Sequence, residues 1–257
     1  MIPRIIHYCW FGKKELPLLA KKCIASWKKY MPDCEIIEWN EDNFDVNMIQ
    51  YTREAYEKGK YAFVSDFARF YILYNYGGIY LDVDVELIKP LDNILSKKVV
   101  LGFESVGKVA PGGSDAQINP GLICASEPGV EFLKDMINIY KKLYFINNDG
   151  SYNLTTIVEH TTNYFILKGL ENRNIEQQIG EVTIFPIDYF CPIDIKSNKL
   201  FITENTYSIH HFASSWIGTW GKFKKKIRKM VGSKTYLFLH NLKNKFKFNF
   251  SKDYNLK

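Results

Sequence analysis

Apolar and polar residues recur along this chain with two different periods, and each switch of period marks an element. Residues 3–11 (PRIIHYCWF) are rich in β-branched and aromatic side chains, the composition of a buried strand. Across residues 16–30 the period becomes helical, with Leu18, Leu19, Cys23 and Trp27 directed to the core. Met31-Pro32-Asp33 breaks that helix, residues 34–39 read as a second short strand, and residues 47–58 as a second helix. The stretch from Tyr61 predicts a largely buried helix through Phe63, Phe67, Phe70, Ile72, Leu73 and Tyr74, stopped by Gly77-Gly78. Residues 79–85 then alternate. Ile79, Leu81, Val83 and Val85 share one strand face, and Tyr80, Asp82 and Asp84 share the other.

Further along, residues 99–104, 121–125, 182–190 and 207–212 read as strands, and residues 130–145 and 154–170 as helices. Residues 105–120 (SVGKVAPGGSDAQINP) form an irregular loop of a length that suits an active-site wall. Strands alternating with helices predict an α/β fold with an open, mainly parallel sheet. Such sheets bind nucleotides in the crevice beyond the carboxyl ends of their strands. Trp10, Asn40 and the pair Asp82 and Asp84 all fall at or near predicted strand ends.

Charge changes the picture at one end. The chain of 257 residues carries a net charge of +6, yet residues 222–257 hold twelve Lys or Arg against a single acid, Asp253. Residues 1–221 are therefore mildly acidic and form the expected domain, followed by a basic helical or irregular appendage at 222–257. There, aromatic and aliphatic residues interleave with lysine (YLFLHNLKNKFKFNF), a pattern that suits an anionic membrane surface. No nucleic-acid recognition module accompanies it. The five cysteines (Cys9, Cys23, Cys34, Cys124, Cys191) lack metal-type spacing, and no apolar run has the roughly 18 residues needed to cross a bilayer. Residues 5–11 are too short an apolar run for a signal peptide, so the expectation is a cytoplasmic protein, peripheral on the inner face of the membrane.

The candidate chemistry starts from Asp82 and Asp84. Two carboxylates on one strand face repel each other and do not pack into a core, so a hard divalent cation between them is the simplest reading. Asp66 and Arg69 lie three apart on the preceding helix and therefore share a face. Taken alone, they would be an ordinary intrahelical ion pair.

The pattern SDxxRxxxLxxxGGxYxDxD, complete from Ser65 to Asp84, resembles the sugar-nucleotide signature of glycosyltransferase family 32, and more distantly the core of the clostridial glucosylating toxins. That resemblance implies a GT-A fold and a retaining hexosyltransferase that draws on a nucleotide-sugar donor with Mn2+ or Mg2+; a UDP-linked donor is favoured over a GDP-linked one, although Trp10 could stack on uracil or guanine. It implies that Asp84 binds the metal directly and that Asp82 reaches the ribose and metal-bound water. Asp66 and Arg69 would hold the donor sugar's hydroxyls, with Tyr80 beside the donor. Trp10 would stack on the base, and Asn40 is a weaker candidate for the nucleoside. Asn119 would face the donor sugar, and Asp115 could meet the acceptor. In YSIHHFASSW, His211, Ser214 and Trp216 reproduce the family's spacing of metal ligand, serine and lid tryptophan, although the toxins have a carboxylate where this chain has histidine. His211 is thus the favoured third ligand and His210 the alternative. The expected acceptor is a glycan, lipid-linked, in the assembly of a surface or capsular polysaccharide. A toxin-like protein glycosyltransferase and a non-catalytic, metal-stabilised carbohydrate-binding module are the other readings.

Overall fold

A computed structural model describes residues 1–106, 116–194, 197 and 199–213. Strand β1 (Ile5–Cys9) lies between β2 (Glu35–Trp39) and β3 (Gly78–Tyr80), parallel to both, with Ile6 opposite Ile36 on one side and Ile79 on the other. Helix α1 (Leu18–Tyr30) connects the first two strands; α2 (Gln50–Glu57) and α3 (Tyr61–Tyr76) lead to the third. The chain thus places β2 on one side of β1 and β3 on the other. In open α/β sheets such a reversal is where ligands bind, beyond the carboxyl ends of the strands.

Beyond β3 the sheet turns antiparallel. β7 (Cys124–Ser126) runs against both β3 and β5 (Val99–Ser105), β9 (Val182–Phe185) lies parallel to β5, and β8 (Gln177–Ile179) closes the edge. A short β6 (Gln117–Ile118) pairs with β5, and a separate ribbon joins β4 (Val85–Leu87) to β10 (Ser208–His210). The remaining helices are α4 (Glu131–Tyr140), α5 (Ile157–Ile166) and the single turn α6 (Ile187–Phe190). The α/β class is the expected one. Parallel pairings join β2, β1 and β3 and again β5 and β9, whereas β7 enters antiparallel between β3 and β5. Direction matters for the site, because the amino end of β7 and the carboxyl ends of β3 and β5 reach the same sheet edge.

Each face of the sheet covers its own core. Phe63, Phe67, Phe70 and Leu73 of α3 pack with Tyr140 and Phe165 on one side, and Cys23 and Trp27 of α1 pack with Ile79, Leu81 and Val85 on the other. The indole of Trp27 also donates to the Val85 carbonyl at 2.7 Å, which ties α1 to β4. Leu18, expected to face the core, is 81% exposed, because the buried stripe of α1 is Ala20, Cys23 and Trp27. Tyr74 is only half-buried. Pro186 ends β9, so the strand expected over 182–190 closes as α6. These elements belong to one unit, Met1–Phe212. The boundary expected near 221 and the basic stretch 222–257 lie outside the described residues, as does the span 107–115 of the long loop.

Gly77 ends α3 at a φ of +63°, its N–H returning to the Leu73 carbonyl at 2.8 Å. Gly78 serves another purpose: a Cβ there would stand 2.7 Å from the Ile5 carbonyl oxygen, so β3 approaches β1 only because position 78 is glycine. After Tyr80 the chain leaves the strand. The expected strand over 79–85 is two short ones joined by a turn, with the Val85 N–H bonded to the Asp82 carbonyl at 3.0 Å. Tertiary pairing explains the difference, since the Asp82 N–H bonds to the Gly121 carbonyl and β4 pairs with β10 rather than with β1. The alternation survives as burial: Ile79, Leu81, Val83 and Val85 are all in the core.

Candidate functional site

The turn after β3 carries Asp82 and Asp84 to the sheet edge, and β10 brings a histidine to meet them. Register decides which one. His210 pairs with Val85 across the β4–β10 ribbon, and its Nε2 lies 3.2 Å from Asp84 Oδ1. One ligand atom each from Asp82, Asp84 and His210 fall within 4.8 Å of one another. Neighbours on a strand point to opposite faces. His211, the favoured ligand from spacing, accordingly lies on the other side, its Nε2 2.8 Å from Glu86 Oε2. The structure therefore brings His210 and not His211 to the aspartates.

The three side chains fit a divalent cation. Two carboxylates and an imidazole are an O,O,N donor set that Mn2+ accepts, whereas Mg2+ favours oxygen alone. Burial pushes the His210 imidazole toward its neutral form, but the hydrogen bond to Asp84 and the charges of Asp82 and Glu104 outweigh it and raise its pKa. His210 Nδ1 is buried and has no hydrogen-bond partner among the described residues. A cation at this cluster would replace the proton that the pair otherwise shares.

Asp66 and Arg69 are more than an intrahelical pair. Both are buried, and Arg69 spans two carboxylates, with Nη2 3.1 Å from Asp66 Oδ1 and Nη1 3.4 Å from Asp82 Oδ1. Its guanidinium also lies over the Tyr80 ring, 4.5 Å from the centroid. Burial pushes the Asp66 carboxyl up to about 7, against the pull of Arg69; Asp82 raises it further, while a hydrogen bond from the Ile157 N–H at the start of α5 lowers it. A buried ion pair repays its desolvation poorly as a source of stability. The pair stands beside the cluster of Asp82, Asp84 and His210, because Arg69 Nη1 also reaches Asp82 Oδ1.

The other expected contacts divide. Trp10 is half-buried after β1, with its indole donating to the Lys14 carbonyl at 2.5 Å and its backbone N–H to the Trp39 carbonyl at 2.8 Å. Asn40 is engaged in its own turn: its amide donates to Glu38 Oε1 at 2.9 Å and its carbonyl accepts from the Asp42 N–H at 2.9 Å. Tyr80 is buried beneath Arg69 and serves as its platform. Asn119 is buried with its amide on Glu104 and its carbonyl 2.7 Å from the Gly121 N–H. Asp115, Ser214 and Trp216 lie outside the described residues.

Sequence reasoning did not single out Glu104 or Gly121. Glu104 stands at the carboxyl end of β5, where the strand-end rule that flagged Trp10 and Asn40 applies equally. Gly121 leaves no such trace. A Cβ at that position would fall 2.0 Å from Asp82 Oδ2, a contact visible only in three dimensions.

Residues 17–101 match the sequence model of the family described as "Glycosyltransferase sugar-binding region containing DXD motif". Over 107 residues the chain is 32% identical to inositol phosphoceramide mannosyltransferase 1 of Schizosaccharomyces pombe, a match that covers 37% of this chain and 32% of the relative. The matched part is thus about a third of the mannosyltransferase's length. An uncharacterized glycosyltransferase of Acanthamoeba polyphaga mimivirus is 26% identical over 237 residues, covering 84% of each chain. Among solved structures, a glycosyltransferase involved in glycosylation of the major capsid of PBCV-1 aligns over 82% of this chain and 95% of its own, with a TM-score of 0.45 and 16% identity.

Proposed function

We propose that this chain, which carries the sugar-binding region of the DXD glycosyltransferases, is a metal-dependent hexosyltransferase that takes its sugar from a nucleotide diphosphate donor. The convergence of Asp82, Asp84 and His210 beside the buried Asp66–Arg69 pair carries this reading. A diphosphate cannot approach two aspartates without an intervening cation, and a divalent ion bound there supplies charge neutralisation to the departing phosphate. Asp82, Asp84 and His210 hold that ion. Asp66 accepts hydrogen bonds from the sugar's hydroxyls, and Arg69 fixes Asp66 and Asp82 at one spacing, so that sugar and diphosphate are addressed from a single rigid point. Trp10, at the carboxyl end of β1, lies at the strand-order reversal where a base would stack. Transfer with retention, a UDP-linked donor and a lipid-linked glycan acceptor in surface polysaccharide assembly complete the reading. The mannosyltransferase relative is named for a lipid acceptor, which supports that choice.

The test combines binding with turnover. The melting temperature is followed with a panel of UDP- and GDP-hexoses, each with and without Mn2+. A rise that needs both donor and metal, together with slow donor hydrolysis, is expected for the wild type; Asp84→Ala should lose the metal-dependent part. A wild type indifferent to metal and donor, or an Asp84→Ala variant that keeps the full shift, refutes the assignment. The anomeric configuration of the product, read by NMR, decides retention.

A further inference from the structure

We infer that Glu104 and Asn119 are positioning residues that brace Asp82 for metal binding, a proposal that rests on the metal reading above. The brace begins at an irregularity. β5 and β6 pair Phe103 with Ile118 and Ser105 with Gln117, and the register shifts between Phe103 and Ser105. Such bulges re-aim a side chain and are frequent beside active sites. Here the residue between them is Glu104, whose Oε2 accepts a hydrogen bond from Asn119 Nδ2.

That bond fixes which way the Asn119 amide faces. Its carbonyl must accept the Gly121 N–H, 2.7 Å away, so its NH2 is left for Glu104. The 119–122 turn is closed further by the Leu122 N–H on the backbone carbonyl of Asn119 at 3.1 Å, and anchored to β5 by the backbone N–H of Asn119 on the Gly102 carbonyl at 3.2 Å. Gly121 then holds Asp82 in two ways. Its carbonyl accepts the Asp82 N–H at 3.0 Å, and its bare Cα lets the Asp82 carboxylate lie where a Cβ would stand 2.0 Å from Oδ2. On the opposite side Arg69 Nη1 lies 3.4 Å from Asp82 Oδ1. Asp82 is thus held between Arg69 on α3 and the Gly121 turn at the amino end of β7. Glu104 reaches the aspartate only through Asn119 and Gly121.

With both polar ends committed, Asn119 sets the shape of the metal site. Partners that hydrogen-bond a ligand directly commonly account for about tenfold to hundredfold in metal affinity; Asn119 and Glu104 act through Gly121, so a smaller effect is expected of them. Glutamine at position 104 keeps an oxygen acceptor for Asn119 and removes the charge, so the two contributions separate. Two readouts test the brace on the full chain: Mn2+ affinity, and the carboxyl 13C resonance of Asp82 in metal-free protein, assigned by its disappearance in Asp82→Asn. Glu104→Ala and Asn119→Ala are expected to weaken Mn2+ binding by up to about tenfold and to displace the Asp82 resonance. Glu104→Gln is expected to keep the wild-type resonance and most of the affinity, losing only what the charge of Glu104 contributes beside His210. A wild type that binds no Mn2+ while Glu104→Ala displaces the resonance defeats the metal reading and leaves the brace standing. An Asp82 resonance and Mn2+ affinity unchanged in both alanine variants overturn the brace. A Glu104→Gln variant as weak as Glu104→Ala overturns it too, since charge and not the hydrogen bond would then be acting.

Discussion

His7 shows how much a single buried side chain can decide. It is fully buried on β1, and both ring nitrogens are committed: Nδ1 accepts from the Trp39 indole at 3.1 Å, which leaves the proton on Nε2 to be donated to the Gly77 carbonyl at 2.9 Å. Only the neutral imidazole can do both, because protonation would set an N–H against the indole N–H. Burial, partly offset by the Gly77 bond, pushes its pKa down to about 4, from the ordinary 6.5 that the unfolded chain retains. Between those values the unfolded state binds the extra proton and the native state does not, so stability falls as pH drops from about 6.5 to about 4. The full contribution of about 3 kcal/mol is present above 6.5. Urea unfolding at pH 7.5 and pH 4.5 should therefore show a larger acid loss for the wild type than for His7→Phe, by about 2–3 kcal/mol. Equal losses would mean that His7 is not held neutral.

At the scale of elements, the helix–Gly–Gly–strand passage is where sequence and structure agree most closely. Gly77 and Gly78 read as a helix stop, and the structure separates their tasks into a cap and a close approach between strands. Gly78→Ala must hold a side chain at a φ of +102° and push its Cβ against a backbone carbonyl and the His7 ring, so a loss of about 2–5 kcal/mol is expected from chemical denaturation. Gly59→Ala is the comparison: φ is +64° with nothing within 4 Å of the added Cβ, and the expected loss is only about 1–2 kcal/mol. If the two variants lose the same stability, close packing at Gly78 has no energetic weight. The same passage marks where sequence reading stops. Alternation over 79–85 found the two aspartates and the four core residues that alternate with them and Tyr80, because period two survives a change of sheet. It missed the turn at Asp82, which depends on Gly121, thirty-nine residues away in sequence. The choice between His210 and His211 was equally hidden, being set by the register of β10 on β4. Local patterns reported local partners; contacts made by a reversed strand and a distant turn left no mark on the period.

For the whole molecule, the sheet edge gathers Trp10 after β1, Asp82 and Asp84 after β3, Glu104 on β5 and the Gly121 turn before β7, and His210 joins them from β10, while the charge of the chain divides unevenly. Residues 1–221 carry 27 acidic and 22 basic side chains, and the twelve basic residues of 222–257 face a single acid. No helix among the described residues is long and apolar enough to cross a membrane. Residues 222–257 combine lysine with Phe, Leu and Tyr in the composition of an interfacial segment, which would hold the chain beside a lipid-linked acceptor. Attraction to an anionic surface of about 1 kcal/mol for each basic residue near it would suffice even if only half of them engaged. The expected outcome is sedimentation of the full chain with vesicles containing phosphatidylserine and not with neutral ones. Binding should weaken as salt shortens the Debye length from about 8 Å toward about 3 Å at 1 M. Deleting 222–257 should abolish sedimentation, while donor hydrolysis in free solution continues, because Asp66, Arg69, Asp82, Asp84 and His210 all precede the deletion. Vesicle binding that survives the deletion, or that is the same for neutral and anionic lipid, would transfer the membrane role to the body of the protein.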